Sequence, residues 1–166
     1  YMEGYLFDPP EAKAAFVHAA EVAHAANRKV SITLSDSFCV DRHRAAFSHL
    51  VDNHIDILFA NEDEIVSLYE VDNFEEAVQA VRGRCELACL TRSAEGSVIV
   101  AGDDVVAVPA APVDKVVDTT GAGDLYAAGF LYGYTQGKAH AESGAIGGIA
   151  AAEVIAHYRS EEHTSE

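Results

Sequence analysis

The sequence predicts an α/β protein built on a doubly wound, mostly parallel sheet with helices on both faces. Three observations predict it. Along 166 residues the hydrophobic pattern switches repeatedly between the two-residue period of strands and the 3.6-residue period of helices. The strand-like runs are separated by helical runs of about ten or more residues, the length a parallel crossover needs. A glycine-rich turn then leads from a β-branched run into a helix, and such sheets bind ligands beyond their carboxyl ends.

The elements follow in order. GYLF (Gly4–Phe7) reads as a strand. Pro9 and Pro10 break it and can open a helix at its first turn. The Ala-rich run EAKAAFVHAAEVAHAAN carries that helix to the region of Asn27. KVSITLS reads as a buried strand, and Asp41 as the cap of a helix RHRAAFSHLVDN. IDILFA is a strand, and Asn61 begins the next helix. FEEAVQAVRGR is a helix and ELACLT a strand. GSVIVAGDDVVAV reads as a hairpin turning at Gly102–Asp103. KVVD is a strand-like run before the glycine turn, followed by a helix to the region of Thr135 and a last helix near Glu142–His157. The ending RSEEHTSE is acidic, rich in Ser and Thr, and without apolar period. Residues 158–166 are therefore expected to be a disordered, non-native tail.

Composition narrows the function. The net charge of −16 argues against a nucleic-acid partner, which needs a basic surface, and against docking on anionic lipid. It leaves room for a small anion held by backbone N–H groups. The most apolar run, GAIGGIAAAEVIA, is short and interrupted by Glu153, so it does not read as a membrane span. Cys39, Cys85 and Cys89 lack framework or metal-ligand spacing and read as reduced core thiols of a cytoplasmic chain.

The stretch VVDTTGAGDLYAAGFLYG carries the chemistry. Gly121 and Gly123 let a ligand approach the main chain. The amides of Gly121, Ala122, Gly123 and Asp124 can converge at a helix N-terminus as an anion site. Asp124 places a carboxylate beside it, able to take a hydroxyl proton while the amides hold the charge on a transferring phosphoryl group. The stretch lacks the third glycine of a dinucleotide fingerprint, and GYTQGKA (Gly133–Ala139) lacks P-loop spacing.

These residues resemble the ribokinase/PfkB carbohydrate and nucleoside kinases, which use ATP and Mg²⁺ to phosphorylate a primary hydroxyl. DTTGAGD resembles the family signature. NEDE (Asn61–Glu64) resembles its Asn-x-x-Glu motif. LTRSAEGS resembles its Thr-x-Gly-x-x-Gly nucleotide loop, with Thr91 and Gly96 matching and Ser93 in place of the first glycine. ITLSDSF with VDRHR, and VDNHIDILFANEDE, resemble the adenosine kinase branch; AAAEVI resembles the helix that flanks the adenine. The resemblance implies a ribokinase-like fold over residues 1–157, as the C-terminal portion of a kinase domain without the N-terminal half and lid. It implies Asp124 as catalytic base with Gly121, Ala122 and Gly123 as the anion hole. It implies ATP contacts from Thr91, Arg92, Ser93, Gly96 and Gly123, Mg²⁺ and phosphate support from Asn61 and Glu64, and a K⁺ site at Asp118 and Thr120. The implied activity is transfer of the ATP γ-phosphoryl to a nucleoside, adenosine 5′-OH first. A sugar kinase and a catalytically incomplete nucleotide-binding fragment are the alternatives. A homodimer is a further expectation.

Single residues read more plainly. Asn61 is a good N-cap in its own right, and that role is compatible with the motif. Thr91 ends a buried strand. Arg92 reads as a surface residue before a phosphate contact, and Phe38 as a core aromatic before an acceptor-pocket wall.

Overall fold

In a computed structural model, residues 1–157 are described, so the predicted tail at 158–166 lies outside the described residues. The elements are β1 (Met2–Glu3), a 3₁₀ turn (Gly4–Phe7), α1 (Pro10–Ala25), β2 (Ser31–Thr33), α2 (Ser37–His54), β3 (Ile57–Asn61), α3 (Glu62–Tyr69), α4 (Phe74–Val81) and β4 (Leu87–Thr91). They continue with a second 3₁₀ turn (Ser93–Glu95), β5 (Ser97–Ala101), β6 (Asp104–Val108), α5 (Ala122–Thr135) and α6 (His140–Ile155). The chain divides into two compact units. Residues Tyr1–Arg92 and Val98–Val105 form one; Ser93–Ser97 and, among the described residues, 106–157 form the other.

The six strands lie in sequence order, β1 to β6. The first four are parallel neighbours: Met2 pairs with Ile32, Ile32 with Leu58, and Leu58 with Ala88. The last two are joined across Gly102–Asp103, as the hairpin reading required. Sequential parallel order with right-handed crossovers puts α1 to α4 on one face. The core agrees: Ile32, Leu58, Ala88 and Leu90 cluster with Phe16, Phe47, Leu50, Ile65 and Val81 from those helices. The alternate residues Ile57, Phe59, Leu87 and Cys89 point the other way and are also buried. A sheet buried on both faces accounts for strands that read as continuous apolar runs.

Four sequence readings need correction. GYLF is not a strand. Pairing stops at Glu3, because Gly4 lies against the β2 backbone, where a Cβ would come within 2.5 Å of the Leu34 carbonyl oxygen. The chain turns there and drops Phe7 onto Phe16 and Phe47, at ring-centroid distances of 4.8 and 4.4 Å. The cap of α2 is Asp36, whose Oδ1 accepts from the Cys39 N–H at 2.8 Å, not Asp41. Asp41 lies one turn inside, just before a break at His43 (φ −125°). KVVD is not a strand either. The Val117 and Asp118 N–H groups both donate to the Ile155 carbonyl at the end of α6, and Val116 is 55% exposed. Phe38 is not a core residue: it is 75% exposed in the first turn of α2.

In the second unit, α5 and α6 pack along their length. Glycine permits this at Gly129, where a Cβ would come within 2.8 Å of the Ile146 carbonyl oxygen, and at Gly147, within 2.7 Å of that of Tyr126. The three cysteines are free; Cys39 and Cys89 are buried, and burial pushes the Cys85 thiol up to about 11.

Candidate active site

The carboxyl ends of β3 and β4 are neighbours, with Asn61 and Thr91 as register partners. Asn61 caps α3. Its Oδ1 accepts the Glu64 N–H at 2.9 Å, and the Glu64 carboxylate accepts the Asn61 backbone N–H at 2.9 Å and its Nδ2–H at 2.7 Å. This reciprocal box satisfies two helix-end groups at once. Glu64 is only 4% exposed. Burial pushes its carboxyl up to about 7, outweighing the Asn61 backbone hydrogen bond. Each Glu64 oxygen receives one N–H and keeps a further lone pair. That suits a magnesium ion held mainly by phosphate oxygens and water, and not a cage of protein ligands.

One residue beyond that register pair, Arg92 meets Glu62, with Nε and Nη2 each 3.3 Å from a carboxylate oxygen. Its guanidinium carbon lies 4.2 Å from the centre of the Phe74 ring. Arg92 is therefore tied to the starts of α3 and α4 and is not a freely solvated surface cation.

The second unit holds the other motif residues. Ser93 takes a left-handed conformation (φ +49°), one that glycine adopts without strain. Gly96 has φ +90°, and a Cβ there would collide with the Val108 carbonyl oxygen and come within 2.6 Å of the Ala110 nitrogen. The loop can close against the chain after β6 only with glycine at this position. Next to it, buried Ser97 accepts from the Tyr126 hydroxyl at 2.8 Å. That bond links Ser97, the residue after Gly96, to the helix that carries Asp124.

The glycine turn is built in three steps. Asp118 Oδ1 accepts the Thr120 N–H at 2.9 Å and the Thr120 hydroxyl at 2.8 Å. Ala122 N–H donates to the Thr119 carbonyl at 3.1 Å. Gly121 (φ +79°) then stands at the N-cap of α5, where no side chain caps the helix. The first amides of a helix have no acceptor within it, so those of Gly123 and Asp124 are left for water or a ligand. A Cβ at Gly123 would have nothing within 4 Å, so this glycine makes room for no part of the protein's own packing. Uncapped amides, the positive end of the helix dipole and open space suit a phosphate group. Asp124 is exposed in the same turn.

The structure thus brings Asn61, Glu64, Thr91 and Arg92 together in the first unit. In the second it brings Ser93, Gly96, Asp118 and Thr120 through Asp124 onto two loops. Reading the sequence missed Glu62 and Phe74 as partners of Arg92, and Ser97 as the partner of Tyr126. Only the positions beside recognised motifs hinted at them.

The family model for pfkB family carbohydrate kinases matches residues 1–165. An adenosine kinase from Sinorhizobium meliloti is 51% identical with a TM-score of 0.90, covering 93% of this chain and 48% of that one. A probable sugar kinase from Rhizobium etli is 50% identical with a TM-score of 0.90, covering 93% of this chain and 47% of that one. A nucleoside kinase from Methanocaldococcus jannaschii is 35% identical over 102 residues, 61% of this chain and 33% of that protein. The chain therefore spans about half the length of these solved relatives and a third of the archaeal one.

Proposed function

Because the chain belongs to the pfkB family of carbohydrate kinases, we propose that residues 1–157 are the C-terminal, phosphoryl-transfer portion of an ATP-dependent kinase whose acceptor is the 5′-hydroxyl of adenosine. The observation that carries this reading is the start of α5: uncapped amides, an open glycine and a free-standing carboxylate within one turn. The acceptor assignment leans on likeness to the adenosine kinase of Sinorhizobium meliloti at 51% identity.

In this reading the γ-phosphoryl group of ATP lies over the turn Gly121, Ala122 and Gly123, where the amides of Gly123 and Asp124 are open to it and that of Ala122 is already given to the Thr119 carbonyl. The acceptor oxygen attacks phosphorus, the bond to the β-γ bridging oxygen breaks, and ADP leaves. Asp124 takes the hydroxyl proton, so the attacking oxygen gains nucleophilicity as the P–O bond forms. The amides and the helix dipole hold the charge on the equatorial oxygens. Thr91, Arg92, Ser93 and Gly96 belong to the loop that receives the nucleotide. Mg²⁺ supplies charge neutralisation at the phosphates, and Asn61 and Glu64 support it. Asp118, already holding Thr120, would share its carboxylate with a K⁺ ion. The setting is cytoplasmic, and a second copy of the chain is the expected partner.

A sugar acceptor is the second reading, favoured by the 50% identity to the probable sugar kinase of Rhizobium etli. One experiment separates the two. ADP release is measured with ATP, Mg²⁺ and, in turn, adenosine, ribose and fructose, beside Asp124→Asn. Turnover with adenosine, lost in the variant while ATP still binds, is the expected result. Turnover with sugars alone would transfer the acceptor to the second reading. Equal turnover in the variant would remove Asp124 from the chemistry.

A further inference from the structure

The Arg92–Glu62 contact lies where two motif segments leave the sheet side by side. Asn61 and Thr91 are the last register partners of β3 and β4. The next residue on each chain is Glu62 and Arg92, and these two form the ion pair. The side-chain bond thus extends the strand pairing by one step beyond the backbone ladder. Arg92 is the more enclosed partner, its side chain 21% exposed against 41% for Glu62. The guanidinium plane also lies over Phe74, a buried residue at the start of α4. A fork held by a carboxylate and an aromatic face is fixed in direction as well as position.

We propose that Arg92 is a positioning residue for nucleotide binding, acting through Glu62, and not a ligand of the nucleotide phosphates. Its guanidinium sets the direction in which the chain leaves Thr91, whose register partner Asn61 begins α3. The same bond holds the first turn of α3, where Glu64 and Asn61 cap each other. The pair makes the spacing between these two departures a property of side chains, which the short ladder alone does not fix. This inference rests on the kinase reading above.

A double-mutant cycle tests it. Arg92→Met keeps an apolar stem against Phe74 but removes the fork. Glu62→Gln removes the charge it grips. The readouts are ATP affinity by calorimetry, KM for ATP against kcat, and the thermal midpoint without nucleotide. Each single variant is expected to weaken ATP binding by about fivefold with kcat little changed, and the double variant by the same total of about fivefold, not by the product. A direct phosphate contact predicts otherwise: Arg92→Met weakens ATP while Glu62→Gln does not, which overturns the proposal. A purely structural ion pair lowers the thermal midpoint of all three variants and leaves ATP affinity alone, which also overturns it. Wild-type protein that binds no ATP at all would refute the kinase reading itself, an outcome distinct from both.

Discussion

Two helices in this chain begin in opposite ways. At the start of α3, Asn61 and Glu64 satisfy each other's hydrogen bonds, and Glu64 is buried. At the start of α5 there is no side-chain cap, the N-cap is a glycine, and the acid of the first turn is exposed. Both carry an acid where the helix dipole favours one. The difference is in what the amides meet. One helix closes on itself and gains stability; the other leaves its first amides and its carboxylate without a partner in its own first turn. An acid at a helix start therefore becomes a candidate for chemistry when its neighbours leave it unanswered.

The sharpest way to break this contrast is Asp124→Asn. Turnover should fall by about a thousandfold, within the usual range for a lost general base, while the melting midpoint stays put. A large loss of stability instead would make α5 as self-satisfying as α3.

A pH series sharpens the other side. The folded chain holds the Glu64 carboxyl at about 7, above its ordinary 4.5. Folding therefore favours the protonated form. The associated stability is fully present below pH 4.5 and is lost as pH rises toward and through 7, by at most roughly 3 kcal/mol. Denaturant unfolding across that window should show a steeper decline in wild type than in Glu64→Gln. Parallel slopes would mean that Glu64 is not the group responsible.

Asn61→Ala should lower unfolding stability by about 2 kcal/mol, because the cap goes and the Glu64 carboxyl loses its side-chain donor, the Asn61 Nδ2–H. Gly123→Ala should do the reverse. It should leave stability unchanged or slightly raised, since the added methyl meets nothing and Ala is the better helix former. It should weaken ATP binding by about fivefold, measured by calorimetry, because the methyl intrudes on the open face. If both substitutions cost stability and neither touches ATP, the contrast between the two helix starts fails.

Both of these helix starts were legible in the sequence because their determinants are local. Asn61 and Glu64 stand three residues apart, as a capping pair must, and the glycines and acid of GAGD lie within a single turn. The parallel order was legible too, from strand runs apolar on both faces. What was hidden depends on distant residues. Gly4 turns the chain because β2 lies against it, and no pattern within GYLF says so. Asp36 and Asp41 both look like caps; the choice depends on where the chain leaves β2, and the kink at His43 gives the second site a local resemblance to a helix start. KVVD has the composition of a strand but no strand beside it, since its amides are claimed by the end of α6. Arg92 looked like a surface cation because Glu62 and Phe74, which hold it, come from α3 and α4.

The thiols give the molecule a built-in clock. All three sit in the first unit, two of them buried and the third held protonated by its burial. Only the thiolate reacts quickly with alkylating reagents. Modification of the buried Cys39 and Cys89 in the native chain must therefore wait for that unit to open, and its rate counts openings. No cysteine lies in α5 or α6. A substitution at the glycine turn that leaves the labelling rate untouched has changed the site without loosening the sheet.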